Sequence, residues 1–208
     1  MDTSSYGQQR TVDKNFHIYL TQKAGLSEDA LTLLPYLPAN YKYKKGNYLV
    51  RPGEYSSKIF FVESGLVKQY VTDESGKENI MHFAPENWLV SDRSSAYFKQ
   101  PTEYFIEAIE DTEVFVMDEK FINAASEISA SYREFNHRSL HSHIRAMQKR
   151  INLLIGATAE KRYLEFVNTY PNLYSRVPQW MIASYLGITP EGLSRVRKDL
   201  AKKHPKLS

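Results

Sequence analysis

The segment from residue 177 to 198, VPQWMIASYLGITPEGLSRVRK, constrains this chain more than any other, because it is spaced as two helices joined by a tight turn. Ile182, Ala183 and Leu186 recur at three- and four-residue steps and so share one face of a short helix over 179–186. Gly187 ends it, since glycine accepts the left-handed backbone that a helix C-terminus often needs. Thr189 and Pro190 then read as an N-cap and a first-turn proline. A second helix starts there, with Leu193, Val196 and Leu200 turned inward and Glu191, Ser194, Arg195 and Lys198 on other faces. Two helices around a glycine-containing turn form a helix-turn-helix unit.

In such units the first residues of the second helix meet base edges in the major groove of DNA. The Arg195 guanidinium can donate two hydrogen bonds to guanine O6 and N7, and the Glu191 carboxylate can accept from the cytosine amino group. The competing reading is an i,i+4 salt pair worth only about 0.2–0.5 kcal/mol, and both can hold in the protein without DNA. Gly192 lies inside this helix, where it costs about 0.8–1.0 kcal/mol relative to alanine. Either close approach to DNA or mere tolerance accounts for it. Net charge is only +3, yet residues 157–208 hold nine Lys/Arg against four Asp/Glu, while residues 1–156 hold eighteen against twenty. Arg195, Arg197, Lys198, Lys202, Lys203 and Lys206 gather near the second helix, where they would attract phosphates. Such a run is more often a solvated face, so it gains weight here only from the motif that it surrounds.

The remaining chain divides by pattern. Residues 1–14 are polar and without periodicity, an arm or a disordered segment. Ser27 before Glu28 and Asp29 marks a short helix start, closed by prolines at 35 and 38. From Tyr41 to Met117, short runs rich in Tyr, Phe, Val and Ile alternate with turn signals such as Pro52-Gly53 and Ser64-Gly65. The expected strands are 48–51, 58–63, 66–73, 78–83, 105–108 and 113–117. Asp118 to Leu154 reads as helix. Phe121 to Phe135 and Leu140, Ile144, Met147, Ile151 and Leu154 form two periodic sets separated by a five-residue step, which places a break or a change of packing partner near 136–139. The second set resembles a coiled-coil seam and needs a facing helix, as in a parallel homodimer; burial under the chain's own strands is the alternative. Thr158 caps a further helix to Asn168 with Tyr163, Leu164 and Val167 inward, and 173–177 reads as extended.

On the residues Thr189, Pro190, Glu191 and Arg195, residues 42 to 200 resemble the cyclic-AMP receptor and FNR family of bacterial transcription regulators. An arginine that precedes the glutamate in that family is missing here. The resemblance implies an α+β chain: a β-roll (double-stranded β-helix, cyclic-nucleotide-binding-like) over 15–125, a dimerisation helix over 126–156 and a helix-turn-helix domain over 157–208. It assigns Glu191 and Arg195 to base reading and Gln179, Thr189 and Lys198, with Ser194 beside them, to phosphates. Its partners are double-stranded DNA with a palindromic site, a second copy of the chain, and RNA polymerase. It also implies a cytoplasmic protein, and no membrane partner is expected, since no apolar run of about 18 residues occurs. The family's C-terminal β-hairpin wing is absent or curtailed, because only Lys202 to Ser208 follow the recognition helix.

The family's cyclic-nucleotide pocket uses a Gly-Glu and an Arg-Ser pair, the arginine forking onto phosphate. Val90-Ser91 and Thr102-Glu103 stand in their places, so control by cyclic AMP is not expected. Arg93-Ser94-Ser95-Ala96 comes too early in the strand order and reads as loop. Trp88, Tyr97, Phe98 and Tyr104 are candidates for an apolar effector pocket, although aromatics in a β-roll are more often core, and whether an effector exists stays open. There is no cysteine, which excludes disulfides and the cysteine-held iron–sulfur cluster of FNR-type sensing. His137 and His141 share a helix face, but solvated histidines are the simpler reading and neither metal nor cofactor is expected. A cupin-type metalloenzyme lacks ligands, with His82 alone in the strand region, and no G-x-S-x-G elbow occurs. The remaining alternative is a small-molecule-binding or protein-interaction module whose helical end does not read DNA.

Overall fold

In the computed structural model residues 15–203 are described. The arm expected over 1–14 lies outside them, as do residues 204–208, where most of the wing question falls. Eight strands form two four-stranded antiparallel sheets: β1 (Ala39–Tyr43), β2 (Tyr48–Val50), β3 (Ile59–Ser64), β4 (Val67–Thr72), β5 (Glu78–Ala84), β6 (Leu89–Val90), β7 (Phe105–Ala108) and β8 (Thr112–Met117). Their orders are β1-β8-β3-β6 and β2-β7-β4-β5. The sheets face each other across Val50, Phe60, Val62, Val67, Ile106 and Val114. β3 reads as a continuous apolar run because both its faces are covered. Phe60 and Val62 point between the sheets, while Ile59 and Phe61 meet the N-terminal helices. At the β3–β4 turn Gly65 has φ +90°, and a Cβ there would stand 2.5 Å from the Asp111 carbonyl, so only glycine fits.

Helix α1 (Asn15–Ile18), a π-turn (Tyr19–Lys23) and α2 (Glu28–Leu33) cover the outer face of the first sheet. The buried Glu63 carboxylate accepts from the Asn15 and Phe16 amides at 2.8 Å, satisfying two donors at the start of α1. Ser27 caps α2, as its position before two acidic residues predicts. A third helix, α3 (Arg93–Phe98), stands where a loop is expected from the sequence; the Asp92 carboxylate accepts from the Ser94 and Ser95 amides and nucleates it. Two strands, β1 and β6, fall outside the expected set.

After β8 the chain enters α4 (Glu119–Ile128) and the 27-residue α5 (Ala130–Gly156). A break falls at Ser129, and of the two readings of the step near 136–139 the change of packing partner is the one that holds. Ser129 is extended, its hydroxyl accepts from the Tyr132 amide and donates to the Gly25 carbonyl, and this polar stop ends α4. The five-residue step marks a change of packing partner inside one unbroken helix: Tyr132 and Phe135 lie on the N-terminal helices, and Ile144 onward is exposed. Helix α6 (Ala159–Thr169) starts on the Thr158 cap. Its buried residue is Phe166, followed by Tyr170, whereas Leu164 and Val167 are exposed, contrary to the inward face expected. Residues Leu173–Ser175 make a 3₁₀ turn in place of an extended piece. Helices α7 (Gln179–Leu186) and α8 (Pro190–Lys203) are the last elements of the described residues. No helix among the described residues is long and apolar enough to cross a membrane.

Candidate nucleic-acid interface

Helix α7 buries Met181, Ile182, Ala183 and Leu186. Gly187 takes φ 64°, donates to the Ser184 carbonyl and turns the chain toward α8. There the Thr189 hydroxyl accepts from the Gly192 amide at 3.1 Å, and Leu193, only 1% exposed, anchors α8 in the same core as α7. With this face fixed, Glu191, Ser194, Arg195 and Lys198 are all exposed on the other side. The Glu191 carboxyl is held below the usual carboxylate range by its own backbone amide and by the Thr189 hydroxyl. No ion pair joins it to Arg195 among the described residues, so the guanidinium stays available.

Gln179 is exposed at the start of α7, and its Oε1 accepts from Arg197 at 3.2 Å. Arg197 in turn lies over the Tyr174 ring at 4.6 Å. This makes Arg197 a fixed cation between the two helices, beyond the residues assigned by resemblance. Of the basic cluster, Lys203 is paired with Glu160 at 2.8 Å, and Lys206 lies outside the described residues.

The helix pair is fastened to the β-roll. Leu66, Ile80 and Phe83 of the roll share one apolar cluster with Phe166, Tyr170, Leu173 and Ile182. Ser184 on α7 accepts from the Ile80 amide at 3.0 Å and donates to the Glu78 carbonyl at 2.9 Å. Arg150 of α5 stacks on Tyr185, 3.6 Å from the ring centroid, and donates to its carbonyl. Arg176 forks onto Glu86 at 2.8 Å and onto Glu110 at 2.6–3.0 Å, and also reaches the Gly65 carbonyl. These two carboxylates raise the Arg176 pKa further above its already high value. Sequence spacing carries no sign of these ties, which join residues 35 to 111 positions apart.

Ile144, Met147, Ile151 and Leu154 form an exposed stripe along α5, with Ile144 and Ile151 each 51% exposed, and Leu140 is half-buried. The chain's own strands do not cover them. His137 and His141 face each other with their Nε2 atoms 3.3 Å apart. Among the described residues no group of three or more His, Cys, Asp or Glu is arranged to hold a metal.

The four aromatic pocket candidates are not brought together. Tyr97 and Phe98 are 82% and 65% exposed, because the Asp92 cap starts α3 in a phase that turns its last residues to solvent. Trp88 lies 5.3 Å from Tyr170 at the junction with the C-terminal helices, and Tyr104 is half-buried elsewhere. Where the nucleotide pairs would fall, Val90 is core, and Thr102 is buried in backbone bonding with Gly53 and Glu54.

Residues 41–127 match the cyclic nucleotide-binding domain family. Over 164 residues the chain is 26% identical to the anaerobic regulatory protein of Haemophilus influenzae, covering 74% of this chain and 63% of that protein. It is 29% identical to the transcriptional activator protein anr of Pseudomonas aeruginosa, covering 74% and 66%. The chain thus spans just under two thirds of the length of the first of these relatives. Among solved structures it is similar to FixK2 from Bradyrhizobium japonicum, with a TM-score of 0.66 at 21% identity, covering 81% of this chain and 86% of that one. Residues 41–127 thus carry a cyclic nucleotide-binding-type domain, and the chain is similar in sequence to anaerobic regulatory proteins and in fold to FixK2.

Proposed function

We propose that the protein is a sequence-specific DNA-binding transcription regulator, not an enzyme, that acts as a homodimer on a palindromic site. The observation that carries this reading is the division of α8, with Leu193 locked in the core and Arg195 and Lys198 free on the opposite face. A helix held in this way presents its first two turns to a major groove, and a two-fold pair reads half-sites about 34–36 Å apart. Glu191 and Arg195 read bases, while Gln179, Thr189, Ser194 and Lys198, joined by Arg197, hold phosphates. The α5 stripe supplies the dimer seam through Leu140, Ile144, Met147, Ile151 and Leu154. The partners are double-stranded DNA in the cytoplasm and, for transcriptional output, RNA polymerase. Cyclic AMP is not the controlling ligand, since Glu103 stands where the phosphate-binding pair of the family would fall and would repel that phosphate.

Selection of bound duplexes from a random pool tests the whole reading. The expected product is a two-fold symmetric sequence whose binding falls steeply between about 50 and 200 mM salt. Arg195→Ala should lose about 1–3 kcal/mol of discrimination at one base position per half-site. An unchanged selected sequence removes Arg195 as a reader, and no duplex binding at low salt favours an interaction module in place of a regulator.

A further inference from the structure

The exposed line of α5 does not stop at Leu140. His137 stands one heptad before Ile144 and two before Ile151, and His141 stands two heptads before Ile155, which is 82% exposed. Both histidines are exposed, so they carry the stripe on toward the N-terminal end of α5. Being four residues apart they share a face, and their Nε2 atoms stand 3.3 Å from each other with the ring planes at 73°. A hydrogen bond between two exposed imidazoles contributes little net free energy against water. The distance has a second meaning. Imidazole nitrogens bound to zinc lie about 2.0–2.1 Å from the ion, and two corners of such a tetrahedron are about 3.3–3.4 Å apart. Of the nearby cations, Arg133 donates to the Ser126 carbonyl at 2.9 Å and Arg138 pairs with Glu134 at 3.7 Å, so both guanidinium groups are engaged elsewhere.

We propose that the two copies of this histidine pair in the homodimer together bind one zinc-class divalent cation, four imidazoles closing a tetrahedral site across the head of the α5 seam. The site rests on the dimer proposed above and is incomplete without it, since one chain supplies two ligands and a closed tetrahedral zinc site takes four. Position lets the second pair join. At the core positions of a parallel two-stranded seam each residue faces its own copy, and His137 shares the heptad position of Ile144 and Ile151. It therefore meets its own copy, and each copy brings its His141 one turn away. Ligand chemistry sets the class of ion, because imidazole suits zinc and its transition-metal neighbours, whereas calcium and magnesium take oxygen ligands. Bound there, the ion ties the two helices where the apolar seam gives way to polar residues, and by mass action it favours the dimer.

The probe is Zn²⁺, with Co²⁺ as its spectroscopic substitute, added to the full chain without an affinity tag at a pH above the imidazole pKa of about 6.5. The expected result is one Zn²⁺ retained per two chains after dialysis, together with a visible Co²⁺ absorption of tetrahedral strength that Zn²⁺ abolishes. His137→Gln and His141→Gln should each lose both signals and keep the fold, because neither side chain is buried. Ile144→Glu combined with Ile151→Glu, which separates the chains and leaves both histidines in place, should reduce the Co²⁺ absorption to that of the octahedral ion. Light scattering tells the two failures apart. A chain that is dimeric yet retains no Zn²⁺, retains one ion per chain, or keeps the tetrahedral absorption in both histidine variants overturns this site alone. A chain that is monomeric with and without Zn²⁺ overturns the site together with the seam.

Discussion

Gly192 shows how a single residue divides between stability and function. Its backbone does not need glycine, and a Cβ there would stand 3.4 Å from the Thr189 hydroxyl oxygen and 3.7 Å from Ile188, which is ordinary contact. Gly192→Ala should therefore stabilise the free protein by about 0.4–1 kcal/mol through lost unfolded-state entropy, seen as a midpoint rise of about 1–4 °C. If affinity for the selected duplex falls in the same variant, the glycine serves close approach to DNA; a lowered midpoint would instead mean that the methyl displaces the Thr189 cap. His82 sets a second residue-scale expectation. An unfolded imidazole takes its proton near pH 6.5, whereas burial holds the folded one near 4, so the unfolded chain binds more protons between those values. The fold then has its full His82 contribution above about pH 6.5 and loses up to about 3 kcal/mol as pH falls toward 4. Denaturant titrations in gluconate buffers should show this slope in the native chain and its absence in His82→Gln; equal slopes would mean that His82 is charged in the fold. The local chemistry of the helix pair was legible because caps and turn glycines act within four residues: Gly187, Thr189 and Leu193 all stand as their spacing predicts.

Helix α5 carries the argument at the scale of elements. Residues exposed at about half their surface every three or four positions along one helix make a stripe that water does not favour. Pairing it with a second copy buries both stripes, and at about 25 cal/mol per Å² the gain grows with each layer added along the seam. Ile144→Glu combined with Ile151→Glu should yield monomers by light scattering, with the fold kept because neither side chain enters the core of its own chain. A dimer that survives both changes would reject this seam. The periodicity of the stripe was visible in the sequence, whereas the break between α4 and α5 was not. It depends on Ser129 meeting the Gly25 carbonyl, a contact 104 positions away that no local pattern announces. The same limit explains α6, where Leu164 and Val167 fit an inward helical face by spacing, but Phe166 and Tyr170 are the residues that reach Phe83 across the junction.

At the scale of the molecule, the junction between roll and helix-turn-helix would decide, in the proposed dimer, where the two recognition helices stand. Fold class was readable from the alternation of short strands, a long helix and a helix pair; the docking of those parts was not, because it is made by long-range polar ties. Arg176 is the centre of that docking. Its guanidinium neutralises Glu86 and Glu110 together, and its hydrogen bonds outweigh the burial that would otherwise raise the Glu86 carboxyl, leaving that group below the usual range. Arg176→Gln leaves two carboxylates facing a shorter neutral amide. The side chains are only partly buried, so the expected loss is about 1–3 kcal/mol, less than for a fully buried pair. The larger consequence is positional. With Ser184 and Arg150 still holding α7 to β5, the helix pair stays folded on the roll but pivots more freely, and the separation of the two recognition helices broadens. The variant should therefore bind operators lengthened or shortened by one base pair between half-sites with a smaller penalty than the native protein does. A competition assay over a spacer series measures this directly, and an unchanged spacing preference in a folded Arg176→Gln dimer would show that the clamp contributes stability alone.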